Sequence, residues 1–256
     1  MKKNTNNLRH FILFSPFEYV SMALKILKRC ILHFILYFGS IFFCIGSSMV
    51  MALNIVTVEQ SEYRHVLKEP AKTVQFPLSM EDKALIASMK STLNGLGGVG
   101  LAAPQVNVSR RIIALYIPDE ARLLRDGVND LYPMHIMINP SFEPVAGSAV
   151  HYDFEGCYSV SSKAGKVPRY EQIKIHYYDE SGTSHEQIEH GFYARVLQHE
   201  IDHLNGFLII DRLTPDCVQG TVQEMMSLRR SELSEEKKAI FDEVIAKKAR
   251  ATASKK

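Results

Sequence analysis

Two histidines and a glutamate late in the chain have the types and the spacing that metal-dependent hydrolysis needs. His199 and His203 are four residues apart, and Glu200 directly follows the first of them. Residues four apart on a helix lie on one face, so both imidazoles could bind one metal ion with the carboxylate beside its open position. Packing alone would explain a single histidine on an apolar face, but not this combination. We therefore predict a metal site here, for which a third ligand must come from elsewhere.

A cysteine upstream is the candidate third ligand. Cys157 lies in the segment Glu155-Gly-Cys-Tyr-Ser159, within a β-rich part of the sequence. As a thiolate it would complete a three-ligand site that leaves one coordination position for water. The alternative interpretation is a buried, unpaired cysteine without a chemical role.

A glycine-rich segment, Gly98-Val-Gly-Leu-Ala-Ala-Pro-Gln105, is the third stretch with possible chemistry. Its small residues would allow the backbone to approach a bound substrate closely. Packing would explain such a turn equally well, so the segment by itself is weak evidence.

The elements that must position these residues indicate an α+β fold. Apolar residues recur every three to four positions over 192–203 and Gly206 follows, which favours a helix for the metal site. Ser79 begins a second predicted helix, which the glycines over 95–98 would end. Short β-rich runs over 111–117, 135–138 and 172–177 predict strands. We expect short-stranded antiparallel or mixed sheets packed around a central metal-binding helix, followed by a C-terminal helix.

The first fifty residues differ in composition from the rest. Residues 31–53 are long and apolar enough to cross a bilayer, and basic residues precede them. One interpretation is a membrane anchor or uncleaved signal, with its positive flank in the cytoplasm. The other, which we favour, is that translation starts at Met51 or Met49 and that residues 1–50 are upstream sequence. A native protein of 29.0 kDa in the membrane fraction would contradict it.

Composition describes an ordinary globular protein. The 256 residues are 46% hydrophobic and carry a net charge of +2, which gives no footprint for DNA binding. The four cysteines show no close pairing, so a reducing compartment is permitted. We expect three parts: a hydrophobic extension over 1–50, a catalytic domain over 51–213 and a charged helical tail over 214–256.

The predicted tail combines a narrow apolar stripe with a basic end. The stripe consists of Ile240, Phe241, Val244 and Ile245, and five lysines or arginines follow it. Such a tail is either solvated or docks on an acidic partner such as RNA, and the sequence leaves both interpretations open.

Together, the three segments resemble the ordered motifs of the peptide deformylases, enzymes that remove the N-formyl group from new bacterial proteins. The resemblance extends from about residue 51 to residue 213, and the set is far more specific than any one motif. It departs at Tyr158, where the family more often has leucine. Because that position is expected to act through its backbone N–H, we expect the activity to survive.

The resemblance implies a metal and a base. The ligands would be Cys157, His199 and His203, and the ion would be Fe²⁺, with Zn²⁺, Ni²⁺ or Co²⁺ able to substitute. Glu200 would take a proton from the attacking water and pass it to the departing amine.

The resemblance also implies an oxyanion site and supporting residues. The side-chain amide of Gln105 and the backbone N–H of Tyr158 would stabilise the oxyanion, in a catalytic set that includes Gly100. Charged residues would orient the ligands from behind: Glu155, Arg169 and Asp202. An apolar pocket would receive the methionine side chain, lined by Val99, Phe192 and Val196.

Two other functions are compatible with parts of the pattern. A zinc metallopeptidase shares the histidine spacing, but its third ligand is usually a later histidine or glutamate. A ribosome-associated metal-binding module without activity would have no need of Gln105 or Glu200. The deformylase resemblance instead implies a monomeric cytoplasmic enzyme whose partners are N-formylmethionyl nascent peptides and, through the basic tail, the ribosome.

Overall fold

The computed structural model describes residues 52–125, 128 and 130–253, with side chains up to residue 246. The described residues belong to one unit, Val50–Lys256. The predictions for residues 1–50, and for the basic side chains after residue 246, fall outside the described part. Within it, none of the helices is long and apolar enough to cross a membrane. The three-part division of the chain stays a prediction.

The described residues form both helices and strands. The helices are α1 (Arg64–Lys68), α2 (Met80–Leu96), α3 (Glu120–Leu124), α4 (Gly191–Leu204), α5 (Ile209–Arg212), α6 (Val222–Glu232) and α7 (Glu235–Ala253). The strands are β1 (Gly100–Ala102), β2 (Ile112–Ile117), β3 (Tyr132–Pro144), β4 (Val150–Cys157), β5 (Val160–Tyr170), β6 (Gln172–Tyr178), β7 (Ser184–His190) and β8 (Gln219–Gly220). Short 3-10 helices occur at Ser61–Tyr63 and Ala103–Val106.

The strands form two sheets in which every described pair is antiparallel. Sheet A has the order β1-β2-β3-β6-β7, and sheet B has the order β4-β5-β8. The predicted class, short antiparallel strands around the metal-binding helix with a helical C-terminus, is therefore confirmed.

Strand β2 of sheet A is apolar at every position and is buried on both faces of the sheet. Successive side chains of a strand point to opposite faces. Ile113 and Leu115 pack in one core with residues of α4, whereas Ile112 and Ala114 pack in a second core with residues of α2. Helix α4 thereby lies against the sheet along its length, and this fixes the direction in which its polar residues point.

Helix α2 directly precedes the glycine-rich segment and positions its start. Ser79 caps its first turn by accepting a hydrogen bond from the Asp82 N–H, as predicted. The helix ends when Gly97 adopts a left-handed conformation with φ 61°. The prediction that the glycines over 95–98 end this helix is confirmed, with Gly95 inside the last turn and Gly97 at the end. The chain turns at Gly97 directly into β1.

The C-terminal helices pack on the rest of the unit. Thr221 and Glu224 cap the start of α6 reciprocally, each side chain bonding the other's backbone N–H. From this helix Met225 is buried against Phe154 and Ala164 of sheet B. Helix α7 then runs back to contact α3 and α2. Helix α6 therefore packs on sheet B, and α7 packs on α2, the helix that precedes the glycine-rich segment.

Candidate active site

Three predicted ligands from two elements meet at one point. His199 and His203 lie one turn apart on α4, and Cys157 ends strand β4. One ligand atom from each lies within 4.8 Å of those of the other two, and the Cys157 Sγ is 3.3 Å from the His203 Nε2. Two imidazoles and a thiolate at such separations fit the three-ligand pattern of catalytic metal sites that keep one position open. These residues form the candidate metal site.

The orientation of His199 and the neutral state of His203 suit metal binding. The His199 Nδ1 lies 2.9 Å from a carboxylate oxygen of Glu155, which leaves Nε2 directed at the cluster. Burial and the nearby positive groups His199 and Arg169 hold the pKa of His203 well below its usual range. A neutral imidazole is the form that binds a metal ion.

Behind the ligands lies a buried network of charges. Glu155 accepts hydrogen bonds from both Arg169 and Arg195, at 2.7–3.0 Å, and Arg169 also donates to Asp202. Burial opposes ionisation of Glu155, yet the Arg169 guanidinium and His199 hold its pKa well below the usual range. Because Glu155 stays ionised, it can fix the His199 ring while pairing with two arginines.

Two members of this network were missed by sequence reasoning. Arg195 precedes His199 by four residues, so the helical period that located the histidines could also have found it. Arg212, on α5, pairs with Asp202, and its position in the sequence carried no comparable signal. The three predicted supporting residues, Glu155, Arg169 and Asp202, are brought together here.

Glu200 lies beside the ligands in a position that requires Gly100. Burial raises the pKa of the Glu200 carboxyl to about 7, and its Oε2 has no hydrogen-bond partner among the described residues. A Cβ built at Gly100 would lie 2.6–2.7 Å from the Glu200 Cδ and Cγ. Real Cβ atoms essentially never come so close, so this glycine makes room for the carboxylate.

The two predicted oxyanion donors flank the cysteine. Gln105 is buried, and its Oε1 accepts a hydrogen bond from the Ala102 N–H at 2.8 Å. The carboxamide is thereby oriented with its NH₂ group towards the Cys157 Sγ, at 3.7 Å. Tyr158 follows the cysteine in the turn between β4 and β5, and its hydroxyl donates to the Leu96 carbonyl. The tyrosine side chain therefore contacts the chain just before the glycine-rich segment.

A cavity of about 470 Å³ opens from the site. The three residues predicted for the methionine pocket all line it: Val99, Phe192 and Val196. Sequence reasoning missed the lining that comes from α3, α6 and α7, which includes Leu124, Arg125, Met225 and Phe241. Because these helices are far from the motifs in sequence, only the folded chain brings them to the cavity.

Comparison with known proteins assigns this arrangement to a family. The sequence profile of the polypeptide deformylases matches residues 52–219. The chain belongs to the polypeptide deformylase family. One deformylase relative, peptide deformylase 2 of Rickettsia conorii, is 38% identical over 189 residues, which cover 73% of this chain and 92% of that protein.

Solved deformylase structures have the same fold. A class I type b peptide deformylase from Acinetobacter baumannii with bound Met-Ala-Ser shares 32% identity at a TM-score of 0.56, covering 64% of this chain and all of that one. A deformylase from Synechococcus elongatus in complex with actinonin shares 28% identity at a TM-score of 0.54, over 72% and 90% of the two chains. The predicted enzyme class is confirmed: this deformylase is a metal-dependent hydrolase that removes N-formyl groups.

Proposed function

We propose that this deformylase acts on peptides that begin with N-formylmethionine and that the cluster of Cys157, His199 and His203 is its metal site. The observation that supports this most directly is the convergence of the three ligand atoms within 4.8 Å beside a buried carboxylate. When bound, the metal supplies a Lewis acid that makes water more acidic and polarises the formyl carbonyl. We propose Fe²⁺ as the native ion; two imidazoles and a thiolate also suit Zn²⁺, Ni²⁺ and Co²⁺.

Glu200 is the proposed base and proton carrier. Its carboxylate takes a proton from the water that attacks the formyl carbon, and then gives this proton to the departing amine nitrogen. A pKa near 7 suits a group that must both accept and release a proton at neutral pH. Formate and a free N-terminal amine are the products.

The developing negative charge on the formyl oxygen requires hydrogen-bond donors. The Gln105 amide is held by the Ala102 N–H, so it can donate without first reorienting. The backbone N–H of Tyr158 is the second proposed donor. A preorganised donor of this kind is typically worth about 10²–10³ in rate.

The cavity beside Glu200 is the proposed binding site for the methionine side chain. Val99, Phe192 and Val196 give it apolar walls next to the ligands. The Acinetobacter baumannii relative binds Met-Ala-Ser, the peptide that deformylation of formyl-Met-Ala-Ser releases. An apolar cavity of this size next to the proposed base supports the same substrate class for this chain.

The proposed setting is the cytoplasm, where nascent chains carry the formyl group. We propose that the enzyme acts as a monomer and that its basic C-terminal end associates with the ribosome. Comparing ribosome pelleting of the chain with and without residues 247–256 tests the last point; equal pelleting of both forms would contradict it.

Formate release from formyl-Met-Ala-Ser tests the proposed reaction. The chain is purified without oxygen, loaded with Fe²⁺ and compared with Glu200→Gln, which keeps the size of the side chain but cannot accept the proton. We expect kcat to fall by about 10²–10⁴ in this variant. The matched control is Glu186→Gln on the exposed strand β7, which should leave kcat unchanged. Equal rates for the two variants would refute the role of Glu200.

A further inference from the structure

The far end of the cavity is built by residues that follow the region matched by the family profile. The family match ends at residue 219, and α6 and α7 both follow it. Apolar side chains of these helices nevertheless line the same cavity as His199 and Glu200: Met225, Met226, Phe241, Val244 and Ile245. The cavity therefore has one wall from the region that the family profile matches and another from the C-terminal helices.

Contacts connect the proposed methionine pocket to these helices. The guanidinium of Arg125 lies over the Phe192 ring, 4.6 Å from its centre, and is held by Asp153 and the Phe154 carbonyl. One residue before it, the Leu124 carbonyl accepts a hydrogen bond from Arg229 of α6 at 3.3 Å. The same guanidinium of Arg229 lies 5.7 Å from the ring centre of Phe241 on α7. Helix α3 thus joins the pocket to the C-terminal helices.

The length of formylmethionine can be compared with the separation of His199 and Phe192 along α4. Phe192 precedes His199 by seven residues on α4, which corresponds to about 10 Å along the helix axis. In an extended formylmethionine, six bonds separate the formyl carbon from the terminal methyl carbon, a span of roughly 7–8 Å. A substrate with its formyl group at the ligands would therefore extend towards Phe192, the residue over which Arg125 lies.

We infer that α6 and α7 close the far end of the substrate cavity and set the length of the first side chain that the enzyme accepts. This inference rests on the proposed function and adds specificity-determining residues to it, chiefly Met226 and Ile245. Both are partly buried, and both line the cavity. Removing either side chain lengthens the cavity. The kcat/KM for a substrate with a longer first residue should therefore rise relative to that for methionine.

The experiment measures kcat/KM for two formyl tripeptides on the same preparation of the full-length, Fe²⁺-loaded chain. One is formyl-Met-Ala-Ser, and the other replaces methionine by ethionine, which is one methylene longer. We expect the ethionine-to-methionine ratio to rise about 5- to 10-fold in Met226→Ala and in Ile245→Ala, since one methylene in an apolar pocket discriminates by roughly 10-fold or more. In Val244→Phe, which shortens the cavity, the ratio should fall.

The matched control is Ile240→Ala. Ile240 loses the same side-chain atoms on the same helix, is also partly buried, and is not among the residues that line the cavity. Its ratio should equal that of the unchanged chain. Because each ratio is taken within one preparation, it does not depend on the fraction of folded enzyme.

Each outcome decides between the proposals. Unchanged ratios in Met226→Ala, Ile245→Ala and Val244→Phe, with formate still released from formyl-Met-Ala-Ser, would overturn the inference about the C-terminal helices alone. An unchanged chain that binds metal but releases no formate would overturn the proposed function and this inference with it.

Discussion

At the residue scale, the position of the proposed base depends on a side chain that is absent. Gly100 faces Glu200 so closely that a single added carbon would collide with the Cγ and Cδ of the glutamate. The glycine was predicted to belong to the catalytic set through a family resemblance. The structure gives a steric reason for a glycine at this position, because any side chain would displace the carboxylate from its place beside the ligands.

We predict that Gly100→Ala lowers kcat/KM for formyl-Met-Ala-Ser by about 10² or more. The added Cβ pushes the Glu200 carboxylate away, and a displacement of about 1 Å at a catalytic group can cost this much. Steady-state kinetics with the Fe²⁺-loaded enzyme measures the loss, and circular dichroism checks that the fold is retained.

The control for this prediction is a double-mutant cycle with Glu200→Asp, which shortens the side chain by one methylene. If the clash is the cause, Gly100→Ala should cost little more activity in the Glu200→Asp background than Glu200→Asp costs by itself. Additive losses would show that the glycine acts in some other way.

At the element scale, a buried ion pair and hydrogen bonds, in addition to packing, connect the central helix to sheet B. Helix α4 packs its apolar face on sheet A. On its other side, Arg195 pairs with Glu155 at 2.7 Å and donates to the carbonyls of Val167 and His151. Glu155 is two residues before Cys157 on β4, so the same contact aligns the cysteine with the helix that carries the histidines.

We predict that Arg195→Leu lowers the free energy of unfolding by about 3–5 kcal/mol, because it leaves part of a buried charge network without its partner. Urea unfolding of the metal-free proteins measures the change. The matched control is Arg230→Leu on α6, whose partner Asp242 is exposed to solvent. This substitution should cost a small fraction of that amount. Equal costs at the two positions would contradict the structural role given to Arg195.

At the scale of the whole molecule, the candidate metal site joins the two layers of the enzyme. Cys157 belongs to sheet B, whereas His199 and His203 lie on the helix that packs on sheet A. An ion held by all three would therefore link parts that otherwise meet through side chains. Such an ion binds the folded chain and lacks a preformed site in the unfolded one, so it stabilises folding.

We predict that removing the metal lowers the Tm and that returning Fe²⁺ or Ni²⁺ restores it. An ion at 100 times its Kd contributes about 2.7 kcal/mol to folding. Differential scanning calorimetry with and without a chelator measures the shift. In Cys157→Ser, whose hydroxyl is a poorer ligand, most of the shift should disappear. If the Tm changes neither when the chelator is added nor when the metal is returned, there is no metal at this site.

Features that depend on short-range interactions along the chain could be predicted from the sequence, whereas those that depend on long-range contacts could not. The cap at Ser79 and the helical spacing of His199 and His203 were readable because they depend on neighbours within one turn. The end of α2 was also predicted from local residues, because a glycine readily adopts the left-handed conformation that Gly97 has there. Arg195 could have been found by the same helical period, whereas Arg212 could not, because nothing local links it to Asp202.

The chemistry of this protein could be inferred from its sequence. The residue types and order of three short segments, together with the family that they resemble, indicated a metal-dependent deformylase before any distance was known. Only the tertiary structure decided how the cavity ends. Met226, Phe241 and Ile245 are ordinary apolar residues of amphipathic helices, and their sequence pattern says which face is apolar but not what that face meets. Their approach to the site depends on long-range packing through α3.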